Sequence, residues 1–365
     1  LLYWRARCPY ARFPVMHAAP ATADPRPSPW ETNFAPDGRL RLALATSDYD
    51  HVRDLASGLV RPQGILLNTL NFAVEEIFHR LTRYREWEVS ELSMGKYSSL
   101  ISQGDRSLWA IPVFPSRVFR HSSIYVRRDG PVRTPADLKG KRVGVPEWAQ
   151  TAAVYSRGLI TDEYGLRLQD IAWVQAGVNQ PGRQEKVKLQ LPQGVHCAPR
   201  PDASLDVLLR TGEIDAMLSA HAPDSFEAGD PAIVRLFPDY QPLEEAYFRK
   251  TGVCPIMHVV ALRRAVLERF PWVAKNLFDA FEDAKRRSIA RSREITASRF
   301  PLPWIADAAA RARAIFGEDP LPYGIEANRP TLEAFLRFAH EQGVCHRRLA
   351  PEDLFPPEVQ TSFRV

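Results

Sequence analysis

Hydrophobic and polar residues follow one another along the first part of the chain in blocks that predict strands and helices in turn. Residues 39–46, RLRLALAT, predict a strand that ends at the polar turn SDYDH at 47–51. Apolar residues then recur at helical spacing over 71–84, a second strand is predicted at 87–92, and a short helix falls within 94–103. The apolar run LWAIPVF at 108–114 predicts a buried strand. Strands that alternate with helices are typical of an α/β layer.

A second series of alternating strands and helices is predicted from residue 143 onward. Strands are predicted at 143–146, 171–176 and 214–219, with helices over 151–163 and 204–211 and a polar stretch at 182–193. A strand at 256–262 is followed by helices that continue to the C-terminal region. This order predicts a first lobe formed by residues 39–142 and 253–365, a second lobe formed by 143–252, and a flexible N-terminal extension over 1–38.

Composition and charge narrow the class of protein. A chain of 365 residues with 45% hydrophobic and 25% charged residues is long enough for two lobes and has the composition of a globular protein. The net charge of +5 is modest and its basic residues are interleaved with acids, which argues against nucleic-acid binding. No window holds 18 uninterrupted apolar residues, so no membrane span is predicted.

The cysteines and the N-terminal segment bear on the compartment. Cys8, Cys197, Cys254 and Cys345 lie far apart and form no zinc-ligand spacing, so reduced thiols are expected. The first residues lack the apolar region of a signal peptide, and a methionine first occurs at Met16. We therefore expect a cytoplasmic protein, and whether the residues before Met16 belong to the native chain stays open, as does homo-oligomer formation.

Several segments carry a resemblance to a known family. They are SDYDH at 47–51, EVSELSM at 88–94, IPVFPSRVFRHSSIYV at 111–126, DLKGKRVGVPEWAQTAAVYSRG at 137–158, GEIDAMLSAHAP at 212–223, CPIMHVV at 254–260 and YGIEANRPTLEAFLRF at 323–338. In this order they resemble the 4,5-dihydroxyphthalate decarboxylase family, over almost the whole chain from Arg39. The resemblance implies a two-lobed α/β fold of the type 2 periplasmic-binding-protein kind, in which each lobe is a mixed sheet flanked by helices and the ligand cleft lies between the lobes.

The same resemblance implies an activity. The family removes one carboxylate from a dihydroxylated phthalate without oxidation, and the products are 3,4-dihydroxybenzoate and CO2. The expected partner is therefore a small aromatic dicarboxylate. A non-catalytic receptor of the same fold, which binds a small aromatic carboxylate, is the alternative, because fold alone does not separate the two. An enzyme for another hydroxylated benzoate or for a pyrimidine-like precursor is a third reading.

A substrate with two carboxylates needs positive charge and hydrogen-bond donors in the cleft. Arginine binds carboxylates in a bidentate manner, and Arg117, Arg120 and Arg157 are the candidates. Free N–H groups at helix N-termini also attract anions, which makes Thr151 and the pair Ser98 and Ser99 candidates in different lobes. For each arginine a surface salt bridge is an equally good explanation, as is ordinary capping for each hydroxyl.

Loss of CO2 from an aromatic ring needs a proton for the ring carbon and electron density from a hydroxyl para to it. Histidine titrates near neutral pH and can act as acid or base. His51, His121, His221 and His258 all lie in segments expected near the cleft, and the sequence does not assign acid and base among them. A lone histidine is more often a hydrogen-bonded core or surface residue.

Aromatic and metal-binding residues complete the candidates. Tyr49 and Trp148, at turn positions, are expected to line the walls around an aromatic ring. Asp48 and Asp50 with His51 could bind a divalent metal, although such residues also form ordinary turns. We expect no organic cofactor, assign no metal ligand, and leave a metal requirement open.

Overall fold

The computed structural model describes residues 33–361, and the structural statements below refer to that part of the chain. The strands are β1 (Leu40–Thr46), β2 (Ile65–Asn71), β3 (Val89–Ser93), β4 (Leu108–Ile111), β5 (Ile124–Arg127), β6 (Arg142–Val145), β7 (Ala172–Gly177), β8 (Cys197–Ser204), β9 (Ala216–Leu218), β10 (Ile233–Arg235) and β11 (His258–Arg263). The helices are α1 (Asp50–Ala56), α2 (Val74–Tyr84), α3 (Met94–Ser102), α4 (Thr151–Asp162), α5 (Leu205–Thr211), α6 (Asp224–Glu227), α7 (Tyr240–Thr251), α8 (Arg264–Arg269), α9 (Trp272–Ser292), α10 (Ile305–Phe316) and α11 (Arg329–Glu341).

Two mixed sheets form the molecule, as the sequence predicts. The first sheet has the order β2-β1-β3-β11-β4, in which β11 runs antiparallel to both of its neighbours. The second has the order β10-β5-β9-β6-β7-β8, with parallel pairing from β9 to β8 and antiparallel pairing at β5 and β10. Strand β8 was not predicted, because its sequence CAPRPDAS is polar and contains two prolines.

The chain passes from the first sheet to the second between β4 and β5, which differs from the predicted boundary at 142/143. Strand β5 hydrogen-bonds to β9 and β10 and so belongs to the second sheet. The chain returns between α7 and β11. The two crossings pair with each other in antiparallel fashion, since Val118 N donates to Pro255 O at 3.1 Å and Met257 N to Ser116 O at 2.8 Å.

Part of the predicted N-terminal extension is ordered against the first sheet. Phe34 forms an antiparallel bridge with Leu40, and its ring packs edge-on against Phe270. Residues 1–32, which make up the rest of the extension, and Met16 with them, lie outside the described residues.

A hydrophobic core extends from the first sheet into the second, and a separate cluster around Leu205 and Met217 belongs to the second sheet. Helix α4 follows the second sheet's β6, yet it packs against α3 of the first sheet and against the C-terminal helix α11. The approach of α11 is close enough that a Cβ at Gly158 would lie 2.5 Å from the Phe338 ring. The amide of Gln342 adds hydrogen bonds to α4 through Val154 O and Arg157 Nε. Between residues 33 and 361, no helix combines the length and apolar character needed to cross a membrane.

Candidate active site

A cavity of about 230 Å³ lies between the two sheets, beside the paired crossings. Both sheets, α2, α3, the start of α4 and the stretch 178–196 contribute to its walls. The lining residues are Val74, Glu75, Phe78, Ser93, Lys96, Ser116, Val118, Arg120, Glu147, Ala149, Gln150, Thr151, Ala152, Arg183, Lys186, Ala220, His221, Met257 and His258. Its size suits a single-ring ligand, and its charged residues are mainly cationic.

His258 enters the cavity from the first residue of β11 and is held from behind by a buried carboxylate. The antiparallel register puts His258 opposite Ser93, so His258 and Glu91 lie diagonally on one face of the sheet. The His258 Nδ1 to Glu91 Oε1 distance is 2.6 Å. Because Glu91 occupies Nδ1, Nε2 is the ring nitrogen left for a ligand.

Glu91 is fully buried and accepts hydrogen bonds that favour its ionised form. Burial alone would raise its pKa, but hydrogen bonds with His258, Tyr49 and the Ser47 amide outweigh burial and lower the pKa of the carboxyl. The Tyr49 hydroxyl donates to Oε1 at 2.6 Å, and the Ser47 amide donates to Oε2 at 2.9 Å. Burial and the Glu91 charge raise the pKa of Tyr49, so Tyr49 stays a donor. A carboxylate so held fixes the orientation of the imidazole.

Two cations line the cavity without an acidic partner. Arg120 is 5% exposed, and its guanidinium contacts Ser123 Oγ at 3.3 Å and the sulfur of Met257. Lys96, in the first turn of α3, is 7% exposed, and burial lowers its pKa to about 8. Within residues 33–361 neither side chain has a carboxylate oxygen within 4.0 Å.

Other cations in the cavity are paired with acids. Arg183 Nε and Lys186 Nζ lie 2.8 and 3.2 Å from Oε1 of the buried Glu147. His221, which follows β9, contacts Glu75 of α2 at 2.7 Å between Nε2 and Oε1. That contact joins the two sheets at the cavity wall, and its hydrogen bond raises the pKa of His221 and lowers that of Glu75.

Thr151 lies where α3 and α4 meet in the cavity, as predicted. Its hydroxyl bonds Ser93 Oγ at 2.9 Å and accepts from the Gly95 amide at 2.9 Å. A Cβ at Gly95 would lie 2.4 Å from Ala149 O, so the close approach of the two helix starts requires glycine there. The two N-termini thus bond to each other, and Thr151 already uses its acceptor oxygen within the protein.

Ser98 and Ser99 do not reach the cavity. Strand β3 leads directly into α3, which is capped by Ser93 and begins at Met94, so both serines lie inside the helix and not at its start. Both are fully buried, and their hydroxyls donate to Gly95 O and Val344 O.

Trp148 and two of the predicted arginines also lie outside the cavity. Trp148 is 1% exposed and packs in the core, where Arg157 stacks on its ring with 3.9 Å between guanidinium and centroid. Arg157 donates to Gln342 Oε1 at 2.8 Å, so it ties α4 to the end of α11. Arg117 donates to the carbonyls of Cys254 and Pro322 and therefore holds the crossing between the sheets.

His121 and His51 are buried beside the cavity without lining it. His121 packs edge-on against Phe237 and Tyr247, and burial lowers its pKa to about 4. His51 stacks on Tyr49 with centroids 5.1 Å apart, and burial likewise lowers its pKa to about 4. Burial thus favours the neutral imidazole at both positions near pH 7, and neither side chain lines the cavity. Tyr49 itself acts on the site through Glu91.

Asp50, one of the suggested metal ligands, bonds to α9 and does not line the cavity. Asp50 accepts from Ser288 and Arg291 at 2.6 and 3.2 Å, which fixes α1 to α9. In the part of the chain that the structure describes, no three His, Cys, Asp or Glu side chains are grouped to hold a metal.

Sequence reasoning missed Glu91, Lys96, Glu147, Arg183 and Lys186. An acid within the otherwise apolar and small-residue strand VSELS was a usable indication for Glu91, because buried carboxylates need specific partners. Arg183 and Lys186 come from the stretch 182–193, which has no regular secondary structure, so no periodicity marked them.

The chain is similar in sequence to known enzymes. No model of a protein family matches the chain. The 4,5-dihydroxyphthalate decarboxylase of Comamonas testosteroni is 38% identical over 328 residues, which cover 90% of this chain and 99% of the relative. That of Pseudomonas putida is 38% identical over 212 residues, 58% of this chain and 82% of the relative.

A solved structure supports the fold. The periplasmic aliphatic sulphonate binding protein SsuA from Escherichia coli aligns with a TM-score of 0.50 at 14% identity, over 87% of this chain and 97% of that one. The fold is thus periplasmic-binding-protein-like. With its near full-length similarity to the Comamonas relative, the chain belongs to the 4,5-dihydroxyphthalate decarboxylase family.

Proposed function

We propose that this protein is a carboxy-lyase that converts 4,5-dihydroxyphthalate to 3,4-dihydroxybenzoate and CO2. Both named relatives are decarboxylases of that compound. The observation that carries the proposal is His258, held at Nδ1 by the buried Glu91 carboxylate and open to a cationic cavity. A receptor needs the cationic cavity, but it has no use for a histidine poised to transfer a proton.

Binding comes first in the proposed mechanism. Lys96 and Arg120 attract the carboxylates, while the ring lies against apolar side chains such as Val74, Phe78 and Val118. Burial in this small cavity removes water from the carboxylates and brings a ring carbon to His258 Nε2.

Proton transfer to that ring carbon then drives loss of CO2. The hydroxyl para to the carbon supplies electron density, so the carbon accepts the proton from His258 Nε2. The bond between the ring carbon and the carboxylate breaks, and its electron pair restores the aromatic ring as CO2 leaves. One proton is consumed per turnover, and His258 regains its proton from solvent. Glu91 holds the ring at Nδ1 and keeps Nε2 directed at the cavity.

The test is an assay of the purified protein with 4,5-dihydroxyphthalate. We expect CO2 and 3,4-dihydroxybenzoate in equal amounts without added nicotinamide, flavin or pyridoxal phosphate. Parallel reactions with chelator and with a divalent metal measure any metal requirement. The same assay on His258→Gln should show kcat lower by about 100-fold or more, because general acid catalysis is lost.

Tight binding of 4,5-dihydroxyphthalate without turnover, with and without metal, would support the receptor interpretation instead. Wild-type kcat in His258→Gln would remove this histidine from the mechanism. A panel of hydroxylated benzoates in the same assay identifies a different substrate, if there is one.

A further inference from the structure

The cavity holds more positive charge than its own acids balance. Glu147 is paired with Arg183 and Lys186, and Glu75 is paired with His221. Lys96 and Arg120 are left, and in the part of the chain that is described neither has an acid within 4.0 Å. Both side chains are at least nine-tenths buried.

Burial of a cation that has no bonded carboxylate costs free energy, and the charges of Glu147 near Lys96 and of Glu244 near Arg120 offset the effect of burial only in part. Burial lowers the pKa of Lys96 to about 8 and that of Arg120 to about 10. The Arg120 Nε has no hydrogen-bond partner within the described chain, although it is buried. Such groups gain most from a ligand that brings the missing negative charge, because the ligand restores pairing that the protein lacks.

We propose that Lys96 and Arg120 select ligands that carry two separate carboxylates, one for each unpaired cation. This deepens the proposed function and rests on it. A dicarboxylate neutralises both cations. A monocarboxylate leaves one of them buried and unpaired, so it binds more weakly. The reaction removes one carboxylate, and therefore the same pair favours substrate over product and assists product release.

The two cations come from different parts of the fold. Lys96 belongs to α3 of the first sheet, whereas Arg120 lies on the crossing toward β5. Two carboxylates on neighbouring ring carbons extend from the same edge of the ring, so they can contact both cations only when that edge faces Lys96 and Arg120. The pair therefore also orients the ring relative to His258, the neighbour of the Met257 side chain that Arg120 contacts.

Calorimetric titration with phthalate and benzoate tests the selection apart from the chemistry, since neither ligand has a hydroxyl to drive decarboxylation. In the wild type we expect phthalate to bind about tenfold tighter or more. Lys96→Met should lower phthalate affinity by about tenfold and benzoate affinity by less than about threefold, so that the preference is largely lost. Lys96→Arg, which keeps the charge, should retain the preference.

Lys186→Met is the matched control, because it removes a lysine from the same cavity that is already paired with Glu147. It should change both affinities by the same factor. Circular dichroism checks folding, and Lys96→Gln takes the place of Lys96→Met if that variant does not fold. A wild-type phthalate preference in the folded Lys96 variant overturns the inference, as does an equal loss of preference in Lys186→Met.

The two proposals fail in different ways. Loss of preference in Lys96→Met in a protein that never decarboxylates 4,5-dihydroxyphthalate would support the selection and contradict the enzyme. If the wild type decarboxylates 4,5-dihydroxyphthalate and Lys96→Met keeps the wild-type preference for phthalate, the enzyme proposal is supported and the selection is contradicted.

Discussion

At the scale of single residues, the proposed mechanism depends on a carboxylate that does not line the cavity. Glu91 is fully buried in β3 and acts only through His258. The histidine was predicted from the sequence and its partner was not. A histidine is a candidate catalytic residue by its own chemistry. Glu91 becomes a candidate only once the pairing of β11 with β3 places it beside His258.

Glu91→Gln tests this positioning role. Glutamine keeps the shape of the side chain but removes the carboxylate charge that holds the imidazole at Nδ1. We expect kcat to fall by about 10- to 100-fold with little change in KM. A loss expressed only as a higher KM, or as failure to fold, would instead indicate a structural role.

Glu88→Gln is the matched control for that variant. Glu88 lies just before β3, accepts from the Ala43 amide at 3.0 Å and is outside the cavity. Its kcat should stay within about twofold of the wild type, since removal of a partly exposed charge has small effects.

At the scale of elements, one side-chain pair connects α2 with the loop after β9. Glu75 and His221 are both about half exposed, so their contact is weak, but it joins the sheets at the cavity wall. The hydrogen bond raises the pKa of His221, so the bond is fully present below the usual histidine range and is lost as pH rises through the raised pKa. Glu75 has a pKa of about 2, so acid breaks the contact only at very low pH.

Stopped-flow measurement of phthalate dissociation tests this connection near pH 6. Glu75→Gln and His221→Gln should each speed dissociation by about two- to fivefold, and the double variant should be no faster than either one. The single variants change the cavity charge in opposite senses, so a shared increase cannot arise from net charge. The effect should vanish at a pH well above the histidine range.

Glu76→Gln controls for the loss of a carboxylate on α2, because Glu76 pairs with Arg80 on the same helix. If the dissociation rate of phthalate rises in one of Glu75→Gln and His221→Gln and falls in the other, only the net charge of the cavity affects dissociation.

Element boundaries explain another difference between prediction and structure. The motif around Ser98 and Ser99 was assigned to a helix start, but β3 and α3 are continuous and the helix begins at Met94. Small polar residues mark helix starts only on average. Here they are buried where α3 packs against the C-terminal part of the chain.

At the scale of the whole molecule, the C-terminal helix joins the two sheets. Helix α11 packs on α4 through Gly158 and Phe338, and the core runs continuously from Leu44 of the first sheet to Val143 of the second. We therefore expect the lobes to unfold together in one transition.

Gly158→Ala probes this junction. The new methyl group would collide with the Phe338 ring, so we expect stability to fall by about 1–3 kcal/mol, while kcat at low temperature changes little. Thermal unfolding followed by circular dichroism measures the loss. Ser156→Ala on the same helix is the control, because it removes a buried hydroxyl that has no partner among the described residues, and it should leave Tm unchanged or raise it. Equal Tm values for Gly158→Ala and the wild type would contradict the tight junction.

Local sequence predicted seven of the eleven strands, the mixed α/β class and the side chains available for chemistry, because periodicity and side-chain type are properties of short segments, but it did not predict β2, β5, β8 or β10. Thr151, Arg120, His221 and His258 were all found in this way, and the structure brings them to one cavity. Tertiary structure alone decided the sheet to which β5 belongs, the burial of Arg157 and Trp148, and the pairing of Glu91 with His258. These depend on contacts between residues far apart in the chain. For the same reason, only the fold could show that Lys96 and Arg120 line the cavity with no carboxylate oxygen from residues 33–361 within 4.0 Å.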